Sequence, residues 1–124
     1  MSTMQAAPYT SYQLHIELSA DVEIQVGRLG RFPFPSGRYV YTGSAKRNLE
    51  ARVARHLRKD KPLRWHIDYL LARPEARVVR VERSHTEECA WNQAVAGVAA
   101  APGFGASDCR AGCGAHLRRL EDSP

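Results

Sequence analysis

Arg52 and His56 stand four residues apart in a stretch where Leu49, Val53 and Leu57 recur at a helical period. A helix there stacks the guanidinium and the imidazole on one side, beside a narrow apolar stripe. A cation at the flank of a buried face can meet a phosphate, because low local dielectric strengthens its pull on developing negative charge. Spacing alone fits surface residues of a basic helix better. Upstream, Tyr39 and Tyr41 alternate on one face of a β-branched and aromatic stretch, with Gly43 following in phase. Their hydroxyls could serve acid–base chemistry or be ordinary strand aromatics.

Two further groups carry reactive side chains. His66 and Asp68 alternate within the apolar string Trp65-His66-Ile67-Asp68-Tyr69-Leu70, as a buried His–Asp pair or the polar side of a helix would. Cys109, Cys113 and His116, with Cys89 upstream, are enough soft donors for a tetrahedral zinc site. Buried unreactive thiols fit the same residues. Three cysteines, an odd number, argue against a disulfide framework.

The chain of 124 residues with 44% hydrophobic content is sized for one domain with one core. Its formal charge of +5 is concentrated: Lys46, Arg47, Arg52, Arg55, Arg58, Lys59, Lys61 and Arg64 share one short segment. A polyanion is the natural partner, with Lys46, Arg47, Arg55, Arg58 and Lys59 as the contacts to nucleic acid. No apolar run approaches the ~20 residues that span a bilayer, and residues 1–5 lack the basic and apolar regions of a signal peptide. A cytoplasmic protein is expected.

The elements that must position these groups follow from periodicity. Residues 1–8 read as a tail. Tyr12, Leu14, Ile16 and Leu18 alternate as a strand, and Val22, Ile24 and Val26 repeat the pattern after Ser19-Ala20-Asp21, which predicts a hairpin of neighbouring strands. Gly27, Gly30, Pro33, Pro35 and Gly37 predict a loop with Phe32 and Phe34 packed beneath it. A strand over 38–43, the Arg52 helix, a short helix over 65–71 and a strand over 78–81 come next. Ser84-His85-Thr86-Glu87 offers a capping box for a helix whose inner face is Trp91, Ala94, Val95 and Val98. The expected fold is a single α/β (α+β) domain over 9–124, with a central, mainly antiparallel three-stranded sheet flanked by helices.

Tyr12, then Tyr39-Val40-Tyr41-Thr42-Gly43, then Arg52 and His56 follow an order that resembles the GIY-YIG endonuclease superfamily. The likeness extends through Gly37 to Ala45, Arg55-His56-Leu57, the Trp65 to Leu70 string and residues 103–109. It is nearest to the branch of small nuclease-like domains sometimes fused to an endonuclease III-like domain. Where the superfamily's first motif has glycine-x-tyrosine, this chain has Thr10-Ser11-Tyr12, so only the tyrosine carries over.

The resemblance implies a metal-dependent endonuclease hydrolysing phosphodiester bonds in nucleic acid, DNA above all. Tyr12 and Tyr41 would supply hydroxyls near the attacking water, and Arg52, with His56 beside it, would stabilise the transition state. Gly43, His66 and Asp68 are secondary site residues. The metal ligand would be a glutamate before a cysteine, which selects Glu88, whereas helical phase turns Glu87 nearer the apolar face. A single carboxylate with waters and a phosphate oxygen suits Mg²⁺ or Mn²⁺. A neutral tyrosine is a poor base, so nearby cations or the metal are expected to lower its pKa or activate the water instead. An inactive nucleic-acid-binding module and a zinc-stabilised interaction protein are the alternatives.

Overall fold

In the structure, a computed structural model, residues 9–45, 47–59, 61–95, 97–99, 104 and 115–120 are described. The strand β1 (Ser11–Leu18) is central, pairing antiparallel with β4 (Gly37–Ser44) on one side and β5 (Ala76–Ser84) on the other. Beyond β4 lie β7 (Leu117–Leu120) and β6 (Gly97–Ala99), giving a five-stranded antiparallel sheet in the order β5-β1-β4-β7-β6. β2 (Val22–Val26) and β3 (Gly30–Phe34) form a separate two-stranded hairpin.

The two-residue period of β1 turns Tyr12, Leu14, Ile16 and Leu18 to one face, each almost fully buried. Tyr39, Tyr41 and Leu117 lie opposite them or one strand beyond. That face is covered by the hairpin and by α1 (Leu49–Leu57) and α2 (His66–Leu71), which contribute Leu49, Val53, Ile67, Leu70 and Leu71 to one core. Each fully buried Leu, Ile or Val contributes ~1.5–3 kcal/mol. On the second face Gln13, Val40 and Thr42 are also buried, beside the short helix α3 (Glu88–Gln93) that packs on β4.

The small mixed α/β domain with an antiparallel sheet and flanking helices is as expected, but the sheet has five strands, not three. The predicted neighbours β1 and β2 do not pair. β2 turns back instead at Gly27, whose φ of +49° suits a glycine turn, and pairs with β3 inside the segment predicted as a loop. Pro33 is tolerated there because a two-stranded ribbon leaves outer N–H positions without a partner strand. The predicted helix after Glu87 stops at Gln93, and Val98 belongs to β6, not to a helical inner face. Glu87 is itself the N-cap, accepting hydrogen bonds from the Cys89 and Ala90 N–H groups, so no Ser84 capping box forms. In α1 the third buried residue is His56, while Leu57 is 52% exposed. The apolar stripe continues at i+3, and it continues with an imidazole.

Candidate active site

Tyr12 sits opposite Gly43 in the β1–β4 ladder, and its ring lies across that glycine. A Cβ at residue 43 would fall 2.5 Å from the phenol Cζ and oxygen. Gly43 is thus a steric requirement of the tyrosine, not a chemical group. The Tyr12 hydroxyl is 2.7 Å from His56 Nε2, which α1 carries in from above the sheet. Tyr41 closes the cluster, its ring centroid 6.4 Å from Tyr12 and 6.0 Å from His56.

Burial dominates the acid–base state of this cluster. It pushes the Tyr12 phenol well above its ordinary value, against the pull of the nearby Arg52, and it raises Tyr41 in the same way. Arg52 does pull the Tyr12 pKa down, as expected of a nearby cation, but desolvation of a phenolate outweighs that single guanidinium. His56 is pushed down to about 4 by burial, helped by Lys61, Arg55 and Arg52 and opposed by Asp68. At neutral pH the phenol and the imidazole are both uncharged. His56 Nδ1 is buried and has no hydrogen-bond partner among the described residues.

The depressed His56 value has a consequence for stability. Below its ordinary pKa of 6.5 the unfolded chain takes up a proton that the folded chain refuses until about pH 4. The contribution of the neutral imidazole is complete above pH 6.5 and is lost progressively between pH 6.5 and about 4. Thermal unfolding midpoints should fall across that window, and His56→Gln, neutral throughout, should flatten the fall. An unchanged slope in the variant would show that His56 is not the titrating group.

Arg52 and Glu88 meet at one residue. Arg52 Nη1 donates to the Ser44 carbonyl at 2.6 Å, and the Ser44 hydroxyl donates to Glu88 Oε1 at 2.8 Å. The other carboxylate oxygen, Oε2, is 2.6 Å from His116 Nδ1. Burial raises the Glu88 pKa, but the hydrogen bonds from His116 and Ser44 outweigh it and hold the carboxyl below its usual range. Arg52 forms no ion pair with a carboxylate among the described residues. The two glutamates differ in their partners: Glu87 caps α3, whereas Glu88 is turned to Ser44 and His116.

Other residues singled out in the sequence have different work. Asp68 is fully buried and accepts from Arg55 at 3.0 and 3.1 Å and from the backbone N–H groups of Arg64 and Trp65, both at 2.9 Å. It anchors the start of α2, and Arg55, expected at a nucleic-acid surface, is its partner. Lys59, expected there too, donates to three carbonyls, Leu71, Arg73 and Ala76, which uses all of its N–H groups. Tyr39 donates to the Pro35 carbonyl, the structural role its strand position suggested. The His66 ring lies 5.7 Å from that of Phe104. Arg47 and Arg58 are exposed, and Lys46 lies outside the described residues.

Cys89 Sγ is 3.7 Å from His116 Nε2, bringing together two of the four soft donors considered for zinc. Cys109 and Cys113 lie outside the described residues. Among the described residues no group of three or more His, Cys, Asp or Glu side chains is placed to hold a metal on its own. No described helix is long and apolar enough to cross a membrane. Sequence reasoning missed Ser44 and the Glu88 partnership of His116, the latter because the nearby cysteines directed attention to a soft metal.

No curated protein and no solved structure matches the chain. A family model described as a domain of unknown function, DUF123, matches residues 11–124, and the chain therefore belongs to the DUF123 family.

Proposed function

We propose that the Tyr12, His56, Arg52 and Glu88 cluster is the site of a metal-dependent phosphodiester hydrolase acting on nucleic acid. The observation that carries this reading is Ser44, which joins Arg52 through its carbonyl and Glu88 through its hydroxyl. A cation without a carboxylate partner among the described residues thus shares Ser44 with an ionised carboxylate, next to a buried, uncharged phenol–imidazole pair.

The donor set fits a hard cation with a bound phosphate, and not a self-sufficient protein cage. Each Glu88 oxygen accepts one hydrogen bond and keeps a second lone-pair site. One carboxylate plus substrate oxygens and water is the way Mg²⁺ and Mn²⁺ are commonly held. Such an ion, when bound, neutralises phosphate charge and favours ionisation of water. The protein's own groups do the rest. Arg52 donates to the phosphate oxygens as charge develops on them. Tyr12, its hydroxyl held 2.7 Å from His56 Nε2, orients the attacking water through its phenol oxygen without itself ionising. His116 and Ser44 keep Glu88 oriented and ionised.

The test is a panel of end-labelled single-stranded, duplex and branched DNA and RNA, incubated with purified protein and Mg²⁺. Cleavage of at least one substrate, abolished by chelator, is expected. Salt-sensitive binding of the same substrates with no cleavage would replace this reading with a nucleic-acid-binding module.

A further inference from the structure

We infer that Trp65 is a positioning residue for Arg52, a role that rests on the hydrolase reading above. The Arg52 guanidinium carbon lies 4.8 Å from the Trp65 ring centroid, and that of Arg55 lies 4.4 Å from it. The His56 ring is 5.5 Å away on the same half-buried indole. Trp65 therefore touches three α1 side chains, two of which belong to the site.

Arg52 is held from Nη1 by the Ser44 carbonyl and lies beside the Tyr12 hydroxyl, and point contacts of this kind leave the plane of the guanidinium free to tilt about its long stem. Contact with an aromatic face limits that plane and adds a cation–π attraction, which is stronger where water is partly excluded. Trp65 is itself anchored, because its backbone N–H donates to Asp68 Oδ2, and the same carboxylate grips Arg55. Two like charges at one ring would repel, but Asp68 neutralises Arg55. Arg52 has no ion-pair partner of its own among the described residues.

The experiment uses the full chain, its W65L and W65F variants, and a labelled oligonucleotide substrate with Mg²⁺. W65L is expected to lower kcat by about tenfold while KM stays within about threefold, and W65F to recover most of the loss. In NMR spectra of ¹⁵N-arginine protein, the Arg52 Nε–H resonance should carry a ring-current shift that W65L removes and W65F keeps. A normal kcat in W65L, or an Arg52 resonance that does not move, would overturn the assignment. If the wild-type protein cleaves nothing, the hydrolase reading fails by itself. The wild-type Arg52 resonance then decides the positioning role, and a value typical of a free side chain would refute it.

Discussion

Replacing Arg52 with alanine is expected to reduce single-turnover cleavage by about 10²–10³-fold, the usual loss when one preorganised donor to a developing oxyanion is removed. The expectation follows from how the residue is held. Its guanidinium is half-buried, fixed at the Ser44 carbonyl and against Trp65, and has no carboxylate partner among the described residues. A surface arginine fixed in this way would pay side-chain entropy for little return. Arg52→Lys should recover little, because an ammonium can neither stack on Trp65 nor reach two phosphate oxygens in one plane. Binding of substrate, measured without metal, should weaken far less than the rate. A loss below about threefold in Arg52→Ala would remove Arg52 from the transition state.

The second large effect is on stability. Asp68→Ala should destabilise the fold by about 3–5 kcal/mol, the cost of breaking a buried ion pair by deleting one partner. Burial opposes the Asp68 charge, yet the Arg55 guanidinium and the Trp65 and Arg64 N–H groups together hold its pKa below the ordinary value. Alanine removes the acceptor shared by those donors at the start of α2 and leaves Arg55 only its bond to the Pro62 carbonyl. Urea unfolding is the measurement, and a change under about 1 kcal/mol would mean that water replaces the carboxylate without cost. Because the variant also frees Arg55 and the backbone of Trp65, it should disturb the site as well. Unlike Arg52→Ala, it should do so together with the loss of stability.

Alternation and composition made the single mixed domain legible, since Tyr12, Leu14, Ile16 and Leu18 announce a half-buried strand without further context. Pairing was not legible. β1 and β2 are close in sequence, but β1 finds its partners in β4 and β5, and only tertiary packing selects them. Short elements failed for a related reason. β3 starts at Gly30, contains Pro33 and is followed by Pro35, and its strand character comes from β2 alone. In the site, the Arg52 and His56 pair was visible from its i, i+4 spacing. The burial of His56 was not, because Leu57 completes the apolar repeat on paper and points to solvent in the fold. The internal partners of Lys59 and Arg55 were not legible either, because charge counts cannot tell an ammonium capping carbonyls from one facing solvent.

Glu88 carries the account's central claim, that one carboxylate and one arginine meet at Ser44 to form a metal-dependent hydrolytic site. The direct measurement is the single-turnover cleavage rate as a function of Mg²⁺ concentration, for wild-type protein and for Glu88→Gln, which preserves size while removing the charge and one of the two acceptor oxygens. The account predicts a rate that saturates with Mg²⁺ in the wild type and, in the variant, one lower by about 10²-fold with a shifted metal requirement. Superimposable Mg²⁺ curves for the two proteins would contradict it.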